Sequence, residues 1–376
     1  MKVIFAVVLA KCPRSAAGHT CATMNWAIAF REFGWDVWLV EHLNDAEMEA
    51  PELGSSRSPQ EEFWYATAAE FGFAERQCLL INGTSPDLEN FQSFANDADL
   101  FFNYSGQFKQ LELLSKRTLK CYLDVDPAFT QLWVETCGVD MNFAGHDRFL
   151  TVGTNLNGED VLLPPSSQEW IPVAPPVVAA YWRDRVGVNP PKGPWSTVSH
   201  WYGYNDLLWQ GHTYGGKRNS LLELRELPKL LGAPIAIATD LERSWGDYDE
   251  FDAAGWKILP AAGVCKDVDT YLAFVAGSSG ELGVAKQGYV VSRGGWISDR
   301  SVTYLSFGRP VLLQDTGWTA VIPAQPGLMP FRNTSEAVVG IRAIEAEYSA
   351  HSTGALSLAE TVFSPAGVLT PLLKQL

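Results

Sequence analysis

The chain has 376 residues, which is more than one hydrophobic core usually supports, so we expect two domains. Apolar residues make up 47% and charged residues 19%, a balance typical of globular proteins that excludes long disordered segments. The net charge of −15 argues against nonspecific nucleic-acid binding and against attraction to anionic membranes, since both usually require a basic face.

The cysteines and the N-terminus indicate a reducing, cytoplasmic setting. The six cysteines show neither C-x-x-C spacing nor a zinc-like His/Cys grouping. Cys78, Cys121 and Cys265 lie in apolar, strand-like runs and are expected to be reduced and buried. The apolar run Val3–Ala10 leads into a loop and a helix pattern, so it predicts a buried strand and not a signal peptide. No apolar run approaches membrane-spanning length, so no membrane span is predicted.

The first half of the chain alternates short apolar strands with helices, as in a parallel sheet covered on both faces. It opens with a strand over Val3–Ala10, a loop over Lys11–Thr20 and a helix from Cys21 to Phe33 that Gly34 ends. The next predicted elements are strands at Val37–Glu41, Gln77–Ile81, Leu100–Asn103, Leu119–Leu123 and Phe149–Val152, and a helix at Pro59–Phe71.

A proline-rich segment from Pro164 to Pro194 is the strongest linker signal, and the alternation restarts after it. The predicted strands are Trp195–Ser199, Pro234–Thr239, Trp256–Leu259, Leu282–Ala285 and Pro310–Gln314. The predicted helices are Asn219–Leu231, one capped by Asp267 or Asp269 that ends near Ala276, Asp299–Phe307, and one capped by Thr334 or Ser335 that ends near Tyr348.

This pattern predicts an α/β fold in which two Rossmann-like, doubly wound domains face a cleft. The expected domains are 1–180 and 190–350, followed by a helical tail, 351–376, that packs back on the N-terminal domain. Ligands of such sheets bind at the carboxyl ends of the strands, which here border the cleft.

The segment from Gly294 to Trp318 reads GGWISDRSVTYLSFGRPVLLQDTGW and combines several features of a phosphate site. Two glycines permit close backbone approach, and Ser298 or Asp299 lies where a helix begins. Arg300 and Ser301 fall in the first turn, where free N–H groups and the helix dipole favour an anion.

This segment resembles the donor-binding signature of the GT-B glycosyltransferases. It is more narrowly similar to a group of bacterial glycosyltransferase-like sequences that share a W-x-S-D-R-S…G-R-P-V…Q-D-T-G run. The likeness extends to Gly215-Gly216-Lys217, Asp124-x-Asp126-Pro127 and Thr151-Val152-Gly153-x-Asn155, and so covers most of the chain. Thr303 stands where many retaining members have a glutamate, and their upstream catalytic glutamate has no clear counterpart. These departures favour inversion over retention.

The resemblance implies a metal-independent transferase of the hexosyltransferase type that needs no cofactor and moves a sugar from a UDP-, TDP- or GDP-sugar to a hydroxyl-bearing acceptor. The C-terminal domain would bind the donor and the N-terminal domain the acceptor. Asp299 is expected to cap the helix or orient Arg300, since a carboxylate repels phosphate. The residues implied at the donor diphosphate are His200, Gly216, Lys217, Lys286, Ser298, Asp299, Arg300 and Ser301, and those implied at the sugar hydroxyls are Asp315 and Thr316.

His19 is the candidate catalytic base, because inverting members of the superfamily place one after the first strand. Asp124 and Asp126 follow a later strand at about the separation at which such enzymes carry a supporting aspartate. A His–Asp pair would fix the imidazole tautomer and raise its basicity, which would help it to deprotonate an acceptor hydroxyl.

Two other functions remain open at this point. A nucleotide-sugar 2-epimerase shares the GT-B architecture and needs no acceptor, and a non-catalytic glycosyltransferase-like subunit would explain the missing glutamates. A NAD-linked dehydrogenase is disfavoured because the first loop lacks G-x-G-x-x-G spacing. A homodimer is compatible with the sequence, which does not identify the sugar, the base or the acceptor.

Overall fold

The computed structural model describes residues 1–11, 17–51 and 54–376. Cys12 and positions 12–16 of the predicted first loop lie outside the described residues. The first half contains β1 Lys2–Ala6, α1 Ala17–Glu32, β2 Asp36–Leu43, α2 Pro59–Glu70, β3 Gln77–Ile81, α3 Leu88–Ala95, β4 Leu100–Tyr104, β5 Leu119–Asp124, α4 Phe129–Cys137, β6 Arg148–Thr151, β7 Trp170–Pro172 and α5 Ala179–Val186.

The second half begins with a strand and a hairpin and ends in three helices. It contains β8 Trp195–Ser199, β9 Leu207–Trp209, β10 His212–Tyr214, α6 Lys217–Glu223, α7 Leu227–Leu231, β11 Ile235–Thr239, α8 Gly246–Ala253, β12 Trp256–Pro260, α9 Ala261–Val264, α10 Val268–Gly277, β13 Glu281–Gly283, α11 Gln287–Ser292, α12 Asp299–Ser306, β14 Val311–Gln314, β15 Leu328–Phe331, α13 Thr334–Ala346, α14 Tyr348–Glu360 and α15 Pro365–Leu373.

Two parallel sheets organise these elements. The first has the order β3-β2-β1-β4-β5-β6-β7, and the second has the order β12-β11-β8-β13-β14-β15. The strands of each sheet pair in parallel, for example Val3 with Val37 and Ile235 with Trp195. In both sheets successive strands are added first on one side of the first strand and then on the other, and this switch in strand order leaves a crevice at the carboxyl ends. The prediction of two doubly wound domains is confirmed.

The largest hydrophobic cluster runs through both halves and fixes them against each other. It joins Trp26 of α1, Trp182 of α5 and Tyr271 of α10 with Leu305 of α12 and Leu369 of α15, all of them buried. Asn25 accepts hydrogen bonds from the Trp182 indole N–H at 2.7 Å and from the Val178 N–H at 3.1 Å, so α1 also anchors the chain between the sheets.

Four element predictions were wrong for local reasons. The segment 164–194 is more than a linker, because it supplies β7 to the first sheet and then forms α5. The predicted helix Asn219–Leu231 is broken into α6 and α7, since Pro228 cannot donate the hydrogen bond that a continuous helix requires. Helix α1 begins before Cys21, so His19 lies in its first turn and not in a loop. Strand β1 ends at Ala6 and not at Ala10.

Among the described residues, the stretch Tyr348–Leu373 is long and apolar enough to cross a membrane by length and composition. The sequence had predicted no membrane span. In the structure this stretch forms two helices, and its apolar residues Leu358, Phe363, Leu369 and Leu372 pack into the main core.

Candidate functional site

Helices from both domains meet at the carboxyl ends of the two sheets. His19 lies in the first turn of α1, and Asp299 opens α12 from the other domain. The two side chains are close enough for the Asp299 carboxylate to oppose the effect of burial, which is the larger effect and lowers the pKa of His19. These two residues therefore mark facing walls of the interdomain cleft.

The His19 ring is fixed by the chain that follows β1. Its Nε2 lies 2.5 Å from the Val8 carbonyl oxygen, and its ring meets Tyr104 edge-on with centroids 5.6 Å apart. Because a carbonyl can only accept, Nε2 carries the proton and Nδ1 keeps its lone pair. Burial favours the neutral imidazole. His19 thus presents a neutral nitrogen that can accept a proton.

The predicted pairing of His19 with Asp124 or Asp126 is wrong. Asp124 is buried and accepts hydrogen bonds from the Thr130 hydroxyl at 2.7 Å, the Thr151 hydroxyl at 2.8 Å, the Asp126 N–H at 2.9 Å and the Gln131 amide at 3.2 Å. These four bonds use both of its oxygens to brace the loop after β5. Asp126 accepts its hydrogen bonds from the opposite domain, as described below.

Glu41 braces the chain between β1 and the cleft. Its carboxylate accepts hydrogen bonds from the N–H groups of Leu9 and Ala10, both at 2.8 Å, and of Lys11 at 3.0 Å. Burial raises the pKa of Glu41 to about 7, against the opposing effect of these donors. Residues 9–11 therefore turn toward a carboxylate and do not extend β1. The sequence placed Glu41 at the end of a predicted strand and gave no sign that its carboxylate holds residues 9–11.

Helix α12 begins as the sequence predicted, but its charges pair differently. Ser298 caps it by accepting the Arg300 N–H at 3.2 Å, while the described residues supply no hydrogen bond to the Asp299 carboxylate. Arg300 is oriented by Glu281 of β13 and by the Val198 carbonyl at 2.6 Å, not by Asp299. Glu281 was missed because a single acid in an apolar strand gave no sign of its partner.

Two buried donors at the start of α12 remain unused by the described residues. Arg300 Nη2 and the Ser301 hydroxyl have no hydrogen-bond partner among the described residues. A buried donor without a partner costs free energy, so such groups call for an explanation such as a bound ligand or water. Their place in the first turn of α12 is where an anion gains most from the helix dipole.

Lys217 is the first residue of α6 and forms no ion pair with the described residues. Its Nζ lies 5.9 Å from the centre of the Trp296 ring. Part of the residue reaches solvent, yet its dense surroundings lower its pKa well below the ordinary lysine value, mainly by desolvation and further through the charges of Arg300 and Lys286. Lys217 is therefore a largely buried amine close to two other basic groups, and no described residue pairs a carboxylate with it.

Gly215, which precedes the cap of α6, lies where a side chain would crowd its neighbours. A Cβ on Gly215 would lie 2.1 Å from Asn219 Nδ2 and 2.5 Å from Gln287 Oε1, so a larger residue would displace these two hydrogen-bonded side chains. Gly216 caps α6, and its carbonyl accepts the Gln287 N–H at 3.3 Å. The Gly-Gly-Lys motif thus packs α6 against α11 and delivers Lys217 to the cleft.

Lys286, the third cation, is neutralised across the cleft. Its Nζ lies 2.6 Å from Asp126 Oδ1, and Asp126 also accepts the hydroxyls of Tyr204 and Tyr289. Glu281 pairs with Arg300 in the same way, so Lys217 is the basic group here that no described carboxylate pairs with. The two tyrosines were missed because hydroxyl donors have no sequence signature of their own.

The other predicted ligand residues are occupied or lie outside this cluster. Asp315 accepts hydrogen bonds from Arg332, the Gly317 N–H and the Thr319 hydroxyl, and the Thr316 hydroxyl donates to the Trp296 carbonyl at 2.7 Å. His200 is exposed at the end of β8, where its Nδ1 lies 3.2 Å from Asp240. Asp315 and Thr316 shape the loop after β14, and His200 lies at the rim.

The two glycines of the motif join the domains. The carbonyls of Gly294 and Gly295 accept the N–H groups of Asn155 and Thr154, both at 3.1 Å. A Cβ on Gly295, which has a φ of +80°, would lie 2.3 Å from the Asn155 nitrogen. The close approach that we expected serves residues 154–155, which explains why the Thr-Val-Gly-x-Asn and Gly-Gly-Trp motifs occur in one chain.

No group of three or more His, Cys, Asp or Glu side chains that could hold a metal ion occurs in residues 1–11, 17–51 and 54–376. In that part of the chain, the charged groups that converge on the cleft are lysines and an arginine with their partner carboxylates. The arrangement can bind a multiply charged anion beside a neutral imidazole.

No protein-family model and no curated protein matches the sequence. Solved structures match over its full length. An alpha-glucosyltransferase in complex with UDP and a 13-mer DNA containing an HMU base superposes with a TM-score of 0.62 and 12% identity, covering 100% of this chain and 98% of that one.

Two bacterial proteins show the same likeness. A glycosyltransferase from Rickettsia africae matches with a TM-score of 0.52 and 10% identity, over 100% of this chain and 97% of its own. The Anabaena protein HepE, in complex with UDP and glucose, matches with a TM-score of 0.51 and 10% identity over 100% of both chains. The chain therefore has the two-domain GT-B fold of these glycosyltransferases.

Proposed function

We propose that this protein is a glycosyltransferase that moves a hexosyl group from a nucleoside-diphosphate sugar to a hydroxyl-bearing acceptor. The observation that carries the proposal is Lys217, a basic group at a helix start that no described carboxylate pairs with, beside the unused donors of Arg300 and Ser301 and across the cleft from His19. A diphosphate supplies the negative charge that this arrangement lacks. The shared fold with structures that contain UDP supports the same reading.

The leaving diphosphate is the species that this site would stabilise most. Charge builds up on it as the bond to the sugar breaks, so fixed donors at that position lower the barrier. Lys217, Arg300 and the first turn of α12 supply such donors, with Ser298 and Gly216 forming the helix caps. Because these groups carry the positive charge, we propose that transfer needs no metal ion. Asp315 and Thr316 would position the sugar indirectly, because their hydrogen bonds hold the loop after β14 in place.

His19 is proposed as the base of an inverting transfer. Its Nδ1 would accept the proton of the acceptor hydroxyl while the oxygen attacks the sugar carbon from the face opposite the diphosphate. The Val8 carbonyl takes the place that we had expected for an aspartate, since it holds the tautomer through Nε2.

Replacing His19 with alanine should lower kcat by about 10²–10⁴-fold, the usual contribution of a general base, and leave UDP affinity within about twofold. The acid limb of the wild-type pH–rate profile should fall below the ordinary histidine pKa, because burial disfavours the charged ring. His212→Ala, an exposed histidine on β10, is the matched control. Unchanged turnover of His19→Ala with both substrates saturating would remove His19 from the mechanism.

The proposed activity is tested with a panel of UDP-, TDP- and GDP-sugars. A donor present at about 100 times its Kd should raise the free energy of unfolding by about 2.7 kcal/mol, and the free monosaccharide should not. The stabilising donor is then incubated with hydroxyl acceptors and followed by mass spectrometry. Product that forms only with an acceptor supports the transferase. Donor conversion without acceptor would instead identify an epimerase, and binding without any turnover would identify a binding subunit.

A further inference from the structure

Asp126 joins the two domains through its carboxylate. It lies after β5 in the N-terminal half, yet its side-chain hydrogen bonds come from the other half: from Lys286 Nζ at 2.6 Å and from the hydroxyls of Tyr204 and Tyr289. The Asp126 and Lys286 side chains are only 17% and 18% exposed, so water screens their attraction weakly. The contact therefore holds one wall of the cleft against the other.

Lys286 is enclosed by aromatic rings as well. Its Nζ lies 3.9 Å from the ring centre of Tyr204, 5.1 Å from that of Tyr289 and 5.2 Å from that of Phe129. Phe129 begins α4 in the N-terminal half, so both domains contribute to this enclosure. Burial lowers the pKa of Lys286, and the Asp126 carboxylate opposes this effect. Asp126 is thus the anionic partner of Lys286 in the free protein.

The enclosed lysine belongs to the same cationic group as Lys217. The residue after Lys286, Gln287, donates its N–H to the carbonyl of Gly216, the residue before Lys217, at 3.3 Å. The Trp296 ring lies 5.9 Å from Lys217 Nζ and 4.8 Å from the Tyr289 ring that encloses Lys286, so the two lysines flank one aromatic pair. A diphosphate bound at Lys217 would place negative charge within reach of Lys286. Asp126 and the ligand would then offer Lys286 two alternative anionic partners.

We propose that Asp126 competes with the bound diphosphate for Lys286 and so weakens diphosphate binding and speeds product release. This inference rests on the proposed function. In the free protein Asp126 offsets one of the three cations. When a diphosphate binds, Lys286 is shared with it, and the contact between the domains loosens. Once transfer is complete, recapture of Lys286 by Asp126 favours departure of the nucleoside diphosphate.

Isothermal titration of the full chain with UDP and with inorganic pyrophosphate tests the competition. Asp126→Asn should bind both anions about tenfold more tightly or better, because Lys286 is no longer neutralised. The rate at which UDP dissociates from Asp126→Asn should fall by about the same factor. In a Lys286→Met background the same Asp126→Asn change should alter affinity less than about twofold, since the competed cation is absent.

The control is Asp252→Asn, which removes one negative charge at an exposed position of α8. An equal gain in that variant would reduce the effect to net charge and overturn the proposal. Unchanged or weaker binding by a folded Asp126→Asn, or a gain that persists without Lys286, would also overturn it. Failure of the proposed function looks different: pyrophosphate binds and Asp126→Asn tightens it, but no nucleotide sugar is turned over.

Discussion

Replacing Lys217 with methionine should abolish most donor binding and leave the fold intact. A hydrogen bond to a charged group is worth about 1.5–3 kcal/mol, so UDP affinity should fall by about 10- to 100-fold. The turnover number should fall by about 10²–10³-fold, as when one donor to a developing charge is removed. Lys229→Met, which removes an exposed lysine of α7, should change neither quantity.

The stability of the Lys217→Met variant is a separate check. The folded protein lowers the pKa of this lysine, so the charged form is disfavoured on folding. That cost is fully present at pH values below the folded-state pKa and disappears as pH rises through the ordinary lysine pKa. The variant should therefore be at least as stable as the wild type at neutral pH, measured by denaturant unfolding. Loss of binding together with loss of stability would indicate a structural role instead.

The pH dependence of binding follows from the same shift. An incoming diphosphate favours the ammonium form of Lys217, so binding takes up a proton whenever the free protein holds the neutral amine. UDP affinity should fall as pH rises above the free-protein pKa of Lys217. Calorimetry in two buffers of different ionisation enthalpy measures this proton uptake directly. Lys217→Met should remove it, and uptake that persists in the variant would assign the proton to another group.

Replacing Gly295 with alanine should be among the most damaging single-methyl changes in the chain. Its φ of +80° imposes a left-handed penalty of about 1–2 kcal/mol on alanine. The new methyl would also lie 2.3 Å from the Asn155 nitrogen, and relieving such overpacking costs about 1–3 kcal/mol. The free energy of unfolding should therefore fall by about 2–5 kcal/mol, and the contact between the domains should weaken.

Gly34 separates the two contributions to this effect. Its φ is +87°, but no heavy atom of another described residue, apart from its two chain neighbours, lies within 4 Å of a Cβ built on it, so Gly34→Ala carries the backbone penalty alone. Denaturant titrations of both variants should show a larger loss for Gly295→Ala. Equal losses would mean that residues 154–155 move aside freely and that the bridge between the domains is not tightly packed.

The sequence alone determined the layout of the fold, because short apolar strands and amphipathic helices are local patterns. Strand β3 and strand β8 have the predicted bounds, and the cap of α10 at Asp267 was among those predicted. Ser298 was likewise recognisable as a possible cap, since capping depends on residues within one turn. The glycine-rich and basic motifs that line the cleft were found for the same reason.

Only the tertiary structure decided which charges are paired, because partners distant in sequence cannot be read from either residue alone. Arg300 is paired with Glu281 and Lys286 with Asp126, while no carboxylate in the described part of the chain pairs with Lys217. The same folding placed Val8, and not an aspartate, against His19. The sequence thus named the basic residues of the cleft, and the packing of the two domains determined that one of them remains available to an anion.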